Sequence, residues 1–341
     1  MIEVSGLRKD FAISVKVGRF RRQRRTVSAV DGIDLRVEPG ETLGYLGPNG
    51  AGKSTTLKML TGVLSPSAGT IRVCGLVPVP QRTQLARRIG VVFGQRSQLW
   101  YDLPLRDSFE LLRHIYRVPA ADHARRLREC VELLDLGPLL DIAVRQLSLG
   151  QRMRGELTAA LLHRPEVLFL DEPTIGLDVV SKQSVRRFLA ELGGRGDTTL
   201  ILTTHDLADI ERLCRRLVII DHGRVVHDGT AEELHARYGS RRRVVVDLDE
   251  PLRAPVELPG VTLVSTDGLR LTCELDGPAA REAGAPAGET GAPARGVGAT
   301  AGELVARLAS LAPLRDLAVV EPEIEDVIAR LYGGHREGTH R

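Results

Sequence analysis

No apolar run in this chain approaches the roughly 18–20 residues needed to cross a bilayer, so a membrane-spanning helix is not expected. Residues 1–10 alternate polar and apolar side chains and lack an apolar signal core, which predicts against secretion. Cysteine is scarce. Cys74, Cys130, Cys214 and Cys273 are widely separated and match no metal-ligand spacing, so buried, reduced thiols in a cytoplasmic protein are expected. Charge of one sign is also lacking: 47 lysines and arginines against 44 aspartates and glutamates leave +3, too little in 341 residues to imply nucleic acid as a partner. What is present, 43% hydrophobic and 27% charged residues, is the balance of a soluble globular protein. The length allows a large first domain and a smaller second one.

Residues 2–7 and 33–37 alternate as strands of a partly exposed sheet. Between them, Arg19-Phe20-Arg21-Arg22-Gln23-Arg24-Arg25 is a basic run expected to be a solvated, mobile loop, with contact to anionic lipid headgroups as the sharper alternative. A strand is predicted over 42–46 and a helix over 53–61. The stretch 105–162 is mostly helical in pattern, with Phe109, Leu112 and Tyr116 on one face. Short apolar runs at 167–170, 200–203 and 217–220 have the rhythm of a buried, largely parallel sheet. Asp221-His222-Gly223 reads as a hairpin turn into 224–227. The first domain is expected over 1–238 and a small α+β appendage over 239–341. Within the appendage, strands are expected at 244–248, 261–264 and 317–320, and helices at 304–311 and 323–332. An Ala/Gly/Pro-rich stretch, 277–302, is too poor in apolar surface to order itself.

Chemistry enters at Gly47-Pro48-Asn49-Gly50-Ala51-Gly52-Lys53-Ser54, followed by Thr55. The run satisfies G-x-x-x-x-G-K-[ST] between a predicted strand and a predicted helix. Its glycines let backbone N–H groups turn inward onto phosphate oxygens, and the helix start adds its positive end. Lys53 is expected on the β- and γ-phosphates and the Ser54 hydroxyl on Mg²⁺. At ordinary residue frequencies the pattern arises by chance in roughly one chain in a hundred of this length. A second constellation is the apolar run Val167-Leu168-Phe169-Leu170 ending in Asp171-Glu172. Asp171 is placed to hold Mg²⁺, and Glu172 to orient and polarise a water attacking the γ-phosphate.

Leu147-Ser148-Leu149-Gly150-Gln151 resembles the ABC signature LSGGQ, with Leu149 in place of the first glycine. Gln95, in Val92-Phe93-Gly94-Gln95, resembles the Q-loop glutamine. Ile175-Gly176-Leu177-Asp178 resembles the D-loop, and His205, in Thr203-Thr204-His205-Asp206, the H-loop histidine. The motifs stand in family order over about residues 1–238. The resemblance implies an α/β, RecA-like P-loop NTPase core with an antiparallel β subdomain and an α-helical subdomain at about 96–162. It also implies ATP hydrolysis by head-to-tail dimers, with a second copy or a sister ATPase as partner. Ser148 and the Gly150 backbone would then meet the γ-phosphate bound opposite, flanked by Leu149 and Gln151. Asp178 would link the two sites, His205 would hold the γ-phosphate and Glu172 in register, and Gln95 would sense Mg²⁺. Phe11 matches, by position, the aromatic residue that stacks on adenine.

Residues 94–104, 148–154 and 173–180 further resemble a branch serving ABC-2 type exporters, near the drug, antibiotic and viologen efflux ATPases. That likeness implies ABC-2 type permease subunits on other polypeptides and a cytoplasmic place on the inner face of the cell membrane. Trp100, Tyr101 and Leu103 are candidate permease contacts. A soluble ABC protein acting on ribosomes would usually carry two phosphate loops, and one is present. A chromosome-maintenance ATPase would need a long coiled coil, and no sustained heptads occur. For an importer, the appendage is too small and irregular to be the usual β-barrel regulatory domain.

Overall fold

The computed structural model describes residues 1–17, 21–94, 97–204, 210, 212–238, 241–252, 261–276, 300–320 and 327–328. The chain divides into two compact units, Met1–Thr230 and Ala231–Arg341.

In the first unit, β3 (Thr42–Leu46), β5 (Ile89–Phe93), β6 (Val167–Asp171), β7 (Thr199–Thr203), β8 (Arg216–Asp221) and β9 (Arg224–Gly229) form a six-stranded sheet of order β5-β6-β7-β3-β8-β9. All neighbours pair in parallel except β8 and β9. Strands buried on both faces need apolar side chains throughout, and β6 and β7 have them, with Val167 to Leu170 and Leu200 to Leu202 at most 2% exposed. The β8–β9 turn carries His222 at φ 46° and Gly223 at φ 79°, two successive left-handed residues as a tight hairpin requires. A second, antiparallel sheet of order β2-β1-β4 comprises β1 (Ile2–Val17), β2 (Arg21–Val37) and β4 (Ala68–Val73). Ile2, Leu7 and Ile33 of that sheet share one core with Leu43, Tyr45, Phe169 and Val218 of the first, and with Leu57 and Leu60 of α1 (Lys53–Leu60).

The basic run corrects the sequence expectation. Arg21–Arg25 is not a loop: it continues β2, paired with Val17 through Ile13 of β1 in an unbroken antiparallel register. Charge spacing reports solvation, and Arg24 and Arg25 are indeed exposed. It is silent on whether the backbone ladder continues beneath the side chains. Pairing of β1 with β4 stops at Arg8, so beyond it the hairpin is a two-stranded ribbon.

Between β5 and β6 lie α3 (Leu105–Tyr116), α4 (Ala120–Leu133) and α5 (Leu149–Leu161); a short α2 (Arg82–Ala86) precedes β5. Phe109 and Leu112 of α3 are buried, and Tyr116 of the same face stacks on His163 with ring centroids 4.0 Å apart. A long α6 (Val179–Arg195) joins β6 to β7.

The second unit opens with α7 (Ala231–Tyr238). It then forms an antiparallel sheet of order β11-β12-β10-β13, built from β10 (Arg241–Leu248), β11 (Val261–Asp267), β12 (Arg270–Asp276) and β13 (Leu314–Val320). Val244 and Val246 of β10 and Leu271 and Cys273 of β12 pack with Leu304 and Leu308 of α8 (Ala301–Leu311). Thr300 and Glu303 close a reciprocal capping box at the start of that helix. Of the helix expected over 323–332, only Val327 and Ile328 are described, both helical and buried; residues 277–299 lie outside the described set. All four cysteines are buried.

Candidate functional site

At the carboxyl end of β3, between β7 and β8, the chain turns through residues 47–52 into α1. The turn depends on glycine. Gly50 and Gly52 sit at φ 84° and 107°, in the left-handed region. A Cβ on Gly47 would lie 2.5 Å from the Ile220 carbonyl, and one on Gly52 would overlap the Ala29 carbonyl oxygen. Gly223 of the β8–β9 turn donates its N–H to Ala51 O at 3.0 Å, bracing the loop from outside. No acidic residue of α1 occupies its own first turn, so the negative charge at its positive end comes from the neighbouring strand. Thr55 is half-buried, while Thr56 is buried and donates to Gly52 O at 3.1 Å.

Lys53 is only 6% exposed. Its ammonium donates to Gly47 O and, at 3.1 Å, to Pro48 O, curling over the loop. Burial lowers its pKa, and the charges of Glu172 and Asp171 pull the other way. The ammonium and the two carboxylates therefore share one electrostatic neighbourhood.

Asp171 ends β6 half-buried. One carboxylate oxygen accepts from Ser54 Oγ at 3.2 Å, and the other from Thr203 Oγ1 at 2.6 Å. Parallel pairing puts Asp171 opposite Thr203, so the strand register itself makes the second bond. Glu172 follows at φ 56°, a left-handed conformation uncommon for a residue with a side chain. Its N–H donates to Thr203 O at 2.9 Å and lies 3.2 Å from Thr203 Oγ1. Thr203 thus fixes both acids, a role that sequence reading missed; a threonine ending an apolar strand beside the acidic strand is the signal available for it. Gly94 donates its N–H to Asp171 O at 3.0 Å, bringing the end of β5 to the same point. Gln95 and His205, both expected here, lie outside the described residues.

Ser148 caps α5. Its hydroxyl accepts from Gln151 N at 3.2 Å, while Ser148 N donates to Gln151 Oε1 at 2.9 Å. This capping box fixes the helix start and occupies the Gln151 side chain. Gly150 packs directly on Ser181 of α6, where a Cβ would come within 2.6 Å of Ser181 Cβ. Ser181 in turn donates N–H and hydroxyl to the two oxygens of Asp178, at 2.9 and 2.7 Å. Those bonds hold the Asp178 carboxyl below its usual pKa. The 148–151 corner and Asp178 are therefore one packed unit, with Ser181 between them, another residue that sequence reading missed. Leu149 is 38% exposed, and a Cβ on Gly176 would lie 3.1 Å from Leu149 Cδ2. Phe11 sits on β1 opposite Val27, 38% exposed, with the Lys9 ammonium 5.2 Å from its ring centre. Lys9 is anchored by a 2.9 Å bond to Ser65 O.

A glycine-braced loop at a helix start, a curled lysine and a carboxylate pinned to the loop serine form an arrangement that can accept phosphate oxygens and a hard cation. The ABC transporter family model matches residues 30–175. The Nod factor export ATP-binding protein I of Paraburkholderia xenovorans (strain LB400) is 39% identical over 224 residues, covering 65% of this chain and 73% of that protein. Daunorubicin resistance ATP-binding protein DrrA3 of Streptomyces coeruleorubidus is 41% identical over 240 residues, 70% of this chain and 75% of its own. Among solved structures, a dimeric ATP-binding cassette in a post-hydrolysis state with ADP and Pi superposes with a TM-score of 0.57 at 25% identity, covering 67% of this chain and 98% of that one. The phosphate-loop geometry and this depth of similarity lead to one conclusion: the chain belongs to the ABC transporter family, as one of its ATP-hydrolysing nucleotide-binding subunits.

Proposed function

We propose that this ATPase drives an exporter of the ABC-2 type, acting as a head-to-tail dimer beneath permease subunits carried on other polypeptides. The observation that carries the reading is the 3.2 Å bond between Ser54 and Asp171, which brings the phosphate loop, the α1 start and the acidic strand end to one point. The backbone N–H groups of residues 49–55 cradle the phosphates of ATP, and Lys53 leaves its loop carbonyls to meet the β- and γ-phosphates. Ser54 and Asp171 are hard oxygen donors that fit Mg²⁺, which takes few protein ligands and keeps several waters. Bound there, the metal supplies neutralisation of phosphate charge. Gln95 completes that set.

Glu172 orients the attacking water and draws its proton, held in place by the two bonds from its backbone to Thr203. His205 keeps it in register with the γ-phosphate, and Phe11 offers a ring face to adenine. From the other protomer, Ser148 and the Gly150 N–H close on the same γ-phosphate, with Asp178 linking the two sites. The partner protomer is a second copy or a sister ATPase. Relatives named for Nod factor export and daunorubicin resistance support the outward direction. The place of work is then the cytoplasmic face of the membrane; among the described residues no helix is long and apolar enough to cross it. Trp100 and Tyr101, 38% and 57% exposed, are the proposed docking residues.

Glu172→Gln tests the assignment. ATP binding is expected to persist, turnover to fall by about 100-fold or more, and a dimer to accumulate on addition of ATP in size-exclusion chromatography. Turnover at the parental rate would remove Glu172 from its role.

A further inference from the structure

Glu156 is a carboxylate in the interior of α5, only 5% exposed. Burial raises its pKa, and hydrogen bonds from the segment just after β5 work against that rise. Ser97 Oγ donates to one of its oxygens and Gln98 N to the other, the latter at 3.1 Å. Gln98 Nε2 also donates to the Glu156 backbone carbonyl at 3.2 Å. Directly before it, Gly155 leaves room for two leucines of the same segment: a Cβ there would lie 2.9 Å from Leu105 Cδ2 and 3.1 Å from Leu99 Cδ1. The chain from Ser97 to Leu105 is therefore bolted to α5 by a buried carboxylate and by direct packing on helix backbone. That segment carries Trp100 and Tyr101 on the surface. Two helical turns away, about 12 Å along a rigid rod, α5 begins at Ser148.

We propose that Glu156 is a positioning residue, which ties the 97–105 segment to the signature helix so that a load on the Trp100–Tyr101 surface moves the Ser148 corner. The inference rests on the reading that the Ser148 corner grips the γ-phosphate held by the other protomer. Neither Ser97 nor Gln98 is within the phosphate cradle of its own chain, so the strut acts on the dimer rather than on first capture of ATP. The load path is contiguous: exposed segment, buried carboxylate, α5, Ser148 cap, then Gly150 against Ser181 and Asp178 of α6. Without Glu156, the Gln98 N–H loses its acceptor, the Ser97 hydroxyl keeps only the local Leu99 carbonyl at 3.3 Å, and the segment slackens.

The experiment uses the full chain in a Glu172→Gln background, reading monomer–nucleotide affinity with a fluorescent ATP analogue and ATP-driven dimerisation by analytical ultracentrifugation. Glu156→Ala is expected to leave monomer affinity unchanged while weakening dimerisation by about 10-fold, a typical coupling between linked sites. In the hydrolysing chain the same substitution lowers kcat with little change in KM. Glu156→Gln keeps one acceptor oxygen and recovers part of the loss. Unchanged dimerisation overturns the proposal. So does a parallel loss of affinity, dimerisation and melting temperature with no recovery by Glu156→Gln, since that marks plain misfolding. If the Glu172→Gln chain with Glu156 intact fails to dimerise on ATP, the head-to-tail reading fails instead.

Discussion

Gly150→Ala places one methyl group at the junction between the 148–151 corner and the start of α6. The new carbon would meet Ser181 Cβ at 2.6 Å and overlap Ser181 Oγ, well inside van der Waals contact. Neither side gives easily: Gly150 lies in the first turn of a helix held by the Ser148–Gln151 box, and Ser181 is fastened twice to Asp178. Overpacking of this kind costs about 1–3 kcal/mol. Against it stands the ordinary gain from alanine over glycine in a helix, up to about 1 kcal/mol. The net expectation is a loss of about 1–2 kcal/mol, a few degrees in melting temperature for a unit of this size. A larger fractional loss is expected in ATP-driven dimerisation, because the corner itself is displaced. The sign should reverse in a Ser181→Gly background, where the obstacle is gone and only the helix preference remains. Urea denaturation of the four chains of this double-mutant cycle isolates the coupling. Gly150→Ala melting at or above the parent, with parental dimerisation, would refute the packing argument.

Thr203→Val removes the donor to Asp171 and the oxygen beside Glu172 N while keeping the shape, and should cost about 1.5–3 kcal/mol, as for bonds to charged groups. Turnover should fall with it, and a stable, fully active Thr203→Val chain would show that Thr203 does not hold the two acids. The Cys130 thiol is pushed up to about 11, chiefly by burial. It should therefore resist iodoacetamide at pH 8 in the folded chain and react once unfolded, a contrast that mass spectrometry can read. Linkage gives the sign of its effect on stability. Between about 9 and 11 the folded state keeps a proton that the unfolded state releases, so stability conferred below pH 9 is lost as pH climbs through that window. Cys130→Ala should flatten the slope there; an unchanged slope would mean that this thiol is not what titrates.

Much of the site was legible in the sequence where backbone geometry restricts the residue type. The glycines at 47, 50 and 52 are such a case, and the turn that they predicted is present with two of them left-handed. The strand predicted over 42–46 and the hairpin at Asp221-His222-Gly223 were legible for the same reason, since short apolar runs and turn residues report local physics. The β4 strand was not, because Ala68–Val73 has three exposed residues at its start and a weak apolar signal. Thr203 and Ser181 escaped notice because ordinary polar residues become important only through a partner in space. Glu156 is the extreme case, joined to Ser97 across 59 positions. The basic run failed differently. Its composition anticipated the exposure of Arg24 and Arg25 and left the backbone pairing of residues 21–25 undetermined.

The ribbon formed by β1 and β2 beyond Arg8 has a geometric corollary for how such proteins diversify. A ladder of cross-strand partners, from Phe11 opposite Val27 to Val17 opposite Arg21, can lose or gain length only in matched rungs. Removing the rung at the tip, one residue from each arm, shortens the projection and leaves every remaining side chain on its own face. Removing a single residue turns the rest of that arm over. Length variants of this projection should therefore differ by even numbers of amino acids, and the exposed charges of Arg24 and Arg25 on β2 discourage strand exchange between neighbouring molecules.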